Sequence, residues 1–410
     1  MPRFGDLGLL PPETNPDAAV LLTTRGMRAF VDGLVSVVLP SYLVLLGFDG
    51  LHVGAIVTGT LLGSAALTLL AGLQGHRVRR LLLLQVVAGV MVFTGLGFTL
   101  LSSFWALFLI AVVGTLNPSA GDVSVFLPTE QALLPSTVSD RYRTALYGRY
   151  SLVGFTVAAI GALFAGVPDV VARNTALSKT GSYRGVFLLY ALVGVAVWFS
   201  YRRLSPSIER PAGEAGRALG ESKRVVYRLA AVFSLDAFAG GFVVQSLLAL
   251  WLFRKFGLST GVAGAIFFWA GLLSGGSALV AVQLARRIGL VRTMVFTHLP
   301  SNALLIATAL MPTLPLAIAC LMARSALSQM DVPARTSYVM AIVQPSERAA
   351  AASITNVPRS LASAASPLAA GWMLDHSTFG WPLIIAGSLK AAYDLTLFTL
   401  FRHVRPPEEL

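Results

Sequence analysis

Charge is scarce in this chain, and where it falls is selective. Asp32, Asp236, Arg149, Arg324 and Arg359 each stand inside or beside a run of apolar residues. A carboxylic acid in a low-dielectric cavity can load and release a proton, which makes Asp32 and Asp236 the proton-coupling candidates. The competing reading places each near a helix end, wetted or paired with Arg28 or Arg228. Arginine keeps its charge and offers a planar fork of donors to carboxylate or phosphate. Arg149 and Arg359 therefore suit either an anion site or ion pairs that brace a gate. The gate reading pairs Asp122 with Arg149 and Asp331 with Arg359, and it is the one the sequence favours because both acids recur with the arginines. Tyr42, Gln245, Arg324 and Gln329 are further polar groups within apolar runs. Lys390 and Asp394 are four apart, share one helix face and should neutralise each other. His298 and Asn302 have the same spacing, and the histidine reads as a packing residue rather than a proton relay.

Other chemistries find no support. The single cysteine, Cys320, excludes a disulfide scaffold and any multi-cysteine metal site. The 5 histidines are scattered without metal-ligand spacing. There is no Gly-x-x-x-x-Gly-Lys-Ser/Thr phosphate loop, so the chain is not expected to hydrolyse ATP. No His/Asp/Ser grouping stands out in a loop. The sequence thus predicts no enzyme, no catalytic residue, no cofactor and no metal.

The elements that must position these groups are membrane helices. Of 410 residues, 55% are hydrophobic and only 12% charged, about half the charged share of a soluble domain. The net charge of +12 comes from short basic clusters between apolar runs. That pattern sets membrane orientation and does not point to nucleic acid. A spanning helix needs about 20 apolar residues. Twelve candidates fit, at about 27–46, 53–74, 81–101, 104–126, 146–167, 183–201, 227–253, 262–284, 291–311, 314–340, 350–374 and 381–401. The fold class is therefore an all-α integral membrane protein with two six-helix bundles, 27–201 and 227–402. A polar segment 1–26, a linker 202–226 and a tail 403–410 complete it. Arg77, Arg79, Arg80, Arg286 and Arg287 lie in loops on the same side as both termini and the linker, the cytoplasmic side by the positive-inside rule. A bacterial inner membrane is the expected location.

The two bundles are copies. Gly47-Phe48-Asp49-Gly50-Leu51-His52-Val53-Gly54-Ala55-Ile56 matches Gly257-Leu258-Ser259-Thr260-Gly261-Val262-Ala263-Gly264-Ala265-Ile266 at an offset of 210 residues. At that offset Pro135-Ser136 falls on Pro345-Ser346, Arg149 on Arg359 and Gly161 on Gly371. Asp122 and Asp331 align within one residue. Asp32 meets Phe242 in strict register and reaches Asp236 only across a gap. Internally repeated membrane bundles are a carrier architecture.

Six plus six helices, a basic linker and a basic turn after the second helix of each half resemble the major facilitator superfamily over nearly the whole chain. The turn signature of that family is Gly-x-x-x-Asp-Arg-x-Gly-Arg-Arg. Gly75-His76-Arg77-Val78-Arg79-Arg80 keeps the last two arginines but lacks the acid, and Arg286-Arg287-Ile288-Gly289 keeps the glycine. Drug/proton antiporters of the superfamily carry Gly-Pro-x-x-Gly-Gly in helix five. Here helix five lacks the proline, and a relative of the element, Ser366-Pro367-Leu368-Ala369-Ala370-Gly371, lies in helix eleven. The resemblance implies a cavity lined by helices one, four, seven and ten, with Tyr42, Gln245, Arg324 and Gln329 as substrate-cavity candidates, and a monomer that moves a small-molecule substrate, with protons, across a lipid bilayer by alternating access. Export is the expected direction. Uptake symport, lipid flipping and a non-transporting receptor are the alternatives.

Overall fold

In a computed structural model, residues 10–74, 79–119, 125–208, 220, 222–344 and 347–404 are described. Among them there is no strand, and 9 helices are long and apolar enough to cross a membrane. The chain divides into two compact units.

The first unit is built from α1 (Pro16–Leu45), α2 (Gly50–Gln74), α3 (Arg80–Leu100), α4 (Phe104–Val113), α5 (Phe126–Leu133), α6 (Arg143–Leu163), α7 (Val167–Asn174) and α8 (Lys179–Tyr201). The first helix begins well before residue 27. Asn15 caps it by accepting from the Asp17 N–H at 3.1 Å, Pro16 occupies its first turn, and Ala18, Leu21 and Leu22 are buried. Close crossing of α1 and α6 depends on two glycines. A Cβ at Gly33 would stand 1.9 Å from the Ala158 carbonyl oxygen, and one at Gly161 would stand 1.9 Å from that of Phe30. Helix four is not continuous as expected. It stops at Gly114, and Thr115, Leu116 and Asn117 run on as buried non-helical chain. Backbone freed at membrane depth must find protein partners. Here the Thr115 N–H donates to Thr94 Oγ1 at 3.3 Å, and the Tyr190 hydroxyl donates to the Thr115 carbonyl at 2.9 Å.

The second unit contains α9 (Lys223–Gly241), α10 (Gln245–Phe256), α11 (Thr260–Ile288), α12 (Leu290–Leu310), α13 (Leu314–Ser325), α14 (Asp331–Ile342), α15 (Arg348–His376) and α16 (Trp381–Phe401). Helices seven and ten, expected whole, are each split, as α9/α10 and α13/α14. Serines repair the second break. Ser301 Oγ donates to the Arg324 carbonyl and Ser274 Oγ to that of Ser325, both at 3.3 Å, while the Gln329 N–H donates to Ser277 Oγ at 3.3 Å. Arg324 closes α13 and Asp331 opens α14, each complementing the helix dipole at its end. The core joins Leu229 and Phe233 of α9, Met294 of α12, Tyr338 of α14 and Tyr393 and Leu397 of α16.

The duplicated stretch has a geometric meaning. Gly47 and Gly257 both have positive φ, +88° and +64°, a left-handed conformation that glycine adopts without strain. Each turns the chain into the next helix. The first turns of those helices join the opposite unit from the rest of their lengths: Asp49–Thr58 belongs with the second unit and Ser259–Phe268 with the first. In the second unit a Cβ at Gly54 would lie 2.5 Å from the Pro367 carbonyl oxygen. In the first, a Cβ at Gly264 would lie 2.3 Å from that of Ala162. The second glycine of the repeat is thus a packing requirement.

Candidate functional site

The densest buried charge lies in the second unit. Asp236, three turns into α9, accepts from Lys390 Nζ of α16 at 2.5 Å and from Arg335 Nη1 of α14 at 3.1 Å. Arg335 also pairs with Asp331 one turn before it, at 3.3 Å. His298 of α12 places Nε2 3.9 Å from Asp236 Oδ1 and Nδ1 2.9 Å from Asp394 Oδ1. Asn302 Nδ2 donates to the other oxygen of Asp394 at 2.8 Å. Every one of these side chains is at most a tenth exposed. Charge at such depth persists only with partners, and each charge here has at least one.

Two expected pairings are corrected. Lys390 bonds to Asp236, not to Asp394, because Asp394 turns to the imidazole and amide of α12. Asp331 bonds to Arg335, not to Arg359, because its own helix supplies a guanidinium four residues on. Arg359 is left with a buried Nε that has no hydrogen-bond partner, as are Arg324 Nε and Arg149 Nη1. Asp122 and Arg77 lie outside the described residues, so the Asp122–Arg149 pair does too. Arg228 is exposed and does not serve Asp236.

The other predicted positions disperse. Tyr42 is wholly buried, donates to the Phe98 carbonyl at 2.8 Å and packs on Phe187, so it belongs to the core of the first unit rather than to a cavity wall. Asp32 is buried in α1. Gln245 begins α10 and Gln329 lies in the break of helix ten, both half-buried. Arg79 precedes α3, Arg80 donates to the Ala132 carbonyl at 3.4 Å, and Arg286 and Arg287 end α11 exposed. Among the described residues no group of three metal-ligating side chains occurs.

Sequence reading missed Glu130. It lies on α5, fully buried, and collects four donors. Thr24 and Tyr201 reach Oε1 at 2.8 and 2.6 Å, and Arg28 and Tyr150 reach Oε2. Arg28 also lies over the Phe126 ring at 4.2 Å. The available signal was an acid within an apolar segment, with Arg28 as one of few cations in helix one. The sequence reading weighed Arg28 only as one possible partner of Asp32, its neighbour one turn away.

A family model described as Major Facilitator Superfamily matches residues 21–323 and again 230–410. The chain belongs to this superfamily. Its members are secondary transporters that act on small molecules within the lipid bilayer by alternating access. An uncharacterized membrane protein of Saccharomyces cerevisiae is 23% identical over 94% of both chains. Solved structures agree on the superfamily fold. A D-xylose–proton symporter superposes with TM-score 0.72 at 15% identity, over 93% of this chain and 97% of its own. A bacterial homologue of the iron transporter ferroportin, inward-facing, gives 0.72 at 15% identity over 93% and 98%. The human organic anion transporter MFSD10 gives 0.65 at 16% over 95% and 100%. This superfamily member is a multi-pass integral membrane protein, as its apolar helices require.

Proposed function

We propose that this chain is a proton-coupled secondary transporter that exports a small organic anion from the cytoplasm. The observation that carries the reading is Asp236, a carboxylate at membrane depth held by Lys390 and Arg335. Protonating Asp236 removes the anion that neutralises two buried cations, so the proton biases the unit between packings that differ in how those cations are satisfied. The cargo charge rests on Arg324 and Arg359. Each has a buried Nε without a partner, and a carboxylate or phosphate on the cargo offers the acceptors a guanidinium fork requires. Three of the four helices that the family resemblance assigns to the cavity, four, seven and ten, are interrupted. Discontinuous helices are where transporters place cargo and ion contacts. Export follows the likeness to drug/proton antiporters, and both termini are read as cytoplasmic from the basic loops.

Everted and right-side-out membrane vesicles carrying the chain test this. A library of small organic acids is offered under an imposed pH gradient and uptake is read by mass spectrometry. Acid-inside everted vesicles should accumulate a compound, and Asp236→Asn should abolish the gradient dependence. Accumulation only in right-side-out vesicles reverses the direction. Transport that ignores the gradient in both preparations refutes proton coupling.

A further inference from the structure

We infer that His298 and Asp394 form a second proton-carrying station, joined to Asp236 as a carboxylate–imidazole–carboxylate relay inside the second unit. This deepens the proton-coupled reading above and rests on it.

The geometry is specific. One imidazole stands between two carboxylates from different helices, with Nδ1 2.9 Å from Asp394 and Nε2 3.9 Å from Asp236. Asn302 fixes the far oxygen of Asp394 at 2.8 Å, which aims the near oxygen at the ring. The Tyr393 ring meets the imidazole edge-on, centroids 5.8 Å apart, and closes one side of it. Among the described residues the contacts of the Asp394 carboxylate are His298 and Asn302, not a lysine or arginine. Lys390, on the same helix face, is committed to Asp236. A carboxylate that needed only neutralising would have taken the lysine one turn away. Its pairing with a titratable ring is the arrangement that lets a proton move rather than merely balances charge.

The transfer balances. A proton held on an Asp236 oxygen passes to Nε2, giving an imidazolium and an Asp236 carboxylate. The imidazolium gives its Nδ1 proton to Asp394, leaving neutral imidazole and a carboxylic acid. The 3.9 Å gap exceeds a hydrogen bond, so the first step needs one bridging water or a swing of Asp236 away from Lys390. Protonation of Asp236 itself loosens that lysine, which ties transfer to the coupling event. The charged and titratable groups around the relay, among the described residues, are Lys390 and Tyr393 on α16, Arg335 and Asp331 on α14 and Arg359 on α15, while α13, packed against α12, carries Arg324 in its last turn. In the first unit the buried carboxylate of Glu130 is met by three hydroxyls and Arg28 instead of by an imidazole.

Infrared difference spectra test the relay without a known cargo. Full-length protein in liposomes is stepped between about pH 5 and 8, the range in which histidine changes charge. The expected result is a wild-type difference spectrum in which carboxyl and imidazole bands change together. His298→Gln should lose that imidazole band and alter the carboxyl band. Asp394→Asn, which keeps an acceptor for the ring and guards against misfolding as an explanation, should lose the carboxyl component and alter the imidazole band. Identical difference spectra in wild type and in both variants overturn the relay. Vesicle transport separates the two claims. If His298→Gln keeps gradient-driven accumulation at the wild-type rate while Asp236→Asn loses it, the relay fails and coupling at Asp236 stands. If wild type shows no gradient dependence, the transport reading itself fails, whatever the spectra show.

Discussion

Replacing Glu130 with alanine should be the most damaging single change in the first unit. The carboxylate collects donors from Thr24, Arg28, Tyr150 and Tyr201, and the side chains of Arg28 and Glu130 are 2% and 0% exposed. Removing it takes the carboxylate from a buried guanidinium that also lies over the Phe126 face at 4.2 Å. Breaking a buried ion pair by deleting one partner costs about 3–5 kcal/mol. That is a large share of the roughly 5–15 kcal/mol that separates folded from unfolded states. Removing both charges should cost far less, because well-packed apolar residues often replace a buried pair at about neutral cost. The paired variant Arg28→Met with Glu130→Leu should therefore recover most of the loss. Thermal unfolding in one detergent, followed for wild type, both single variants and the pair, reads the cycle. The reasoning is refuted if Glu130→Ala melts with wild type, or if the pair is as unstable as the worse single change.

The remaining predictions concern close packing, helix ends and one exposed carboxylate. Gly33→Ala and Gly161→Ala each force a Cβ to 1.9 Å from a carbonyl oxygen. Each should cost about 1–3 kcal/mol as overpacking, measured as a lowered melting temperature, and a melt equal to wild type would show that α1 and α6 separate freely. Asp375 accepts from the Gly50 and Leu51 N–H groups at 2.7 and 2.6 Å and pairs with Arg254 at 2.6 Å. Asp375→Ala should raise the labelling rate of Leu51→Cys by an impermeant thiol reagent, with about 0.5–2 kcal/mol lost as for a helix cap. An unchanged rate would mean that the cap does not hold the first turn of α2. Ser277→Ala together with Ser274→Ala removes three hydrogen bonds at the break of helix ten and should speed amide exchange at Gln329 more than at Leu321. Equal protection at both positions would count against serine repair. Asp49 lies between membrane helices. Burial alone would raise its pKa, but the His52 N–H and ring, helped by Arg254, outweigh that and hold it below 3.8. A depressed carboxylate stabilises above its unfolded pKa and loses that contribution as pH falls through the folded one. Asp49→Asn should therefore lower the melt slightly at neutral pH, and the difference from wild type should shrink and then vanish as pH falls through the depressed folded pKa. A difference that grows in acid would contradict the assignment. The effect is small because this side chain is 54% exposed.

What the sequence made legible was whatever repeats or follows from composition. Apolar runs of spanning length located the helices, because lipid leaves a backbone few other options. The matched glycines located two equivalent turns and two close crossings, because positive φ and a missing Cβ are demands that glycine meets and other residues resist. Helix breaks were legible only in part. Gly114-Thr115-Leu116-Asn117-Pro118 carries turn-forming residues, whereas Ala326-Leu327-Ser328-Gln329-Met330 has no glycine or proline, and both breaks are satisfied by Thr94, Tyr190, Ser274 and Ser277 from other helices. Ion pairing failed for a related reason. Spacing of four residues joined Lys390 to Asp394 on paper, yet Asp236 and His298 come from α9 and α12 and compete for them. Proximity along one helix is a weak guide when three helices converge. Glu130 was overlooked because its partners are spread from Thr24 to Tyr201.

That spread also bears on how the protein is made. Helix α1 leaves the ribosome long before the acid that neutralises Arg28, which is 102 residues further on, and the last donor to that acid, Tyr201, follows 71 residues later. Until α5 arrives, α1 lacks the Glu130 acceptor of its buried guanidinium. The Glu130 cluster is therefore complete only after the sixth spanning segment has been synthesised. Truncations ending before residue 130 should remain extractable or be degraded, whereas those ending just after Tyr201 should settle in the bilayer as a bundle.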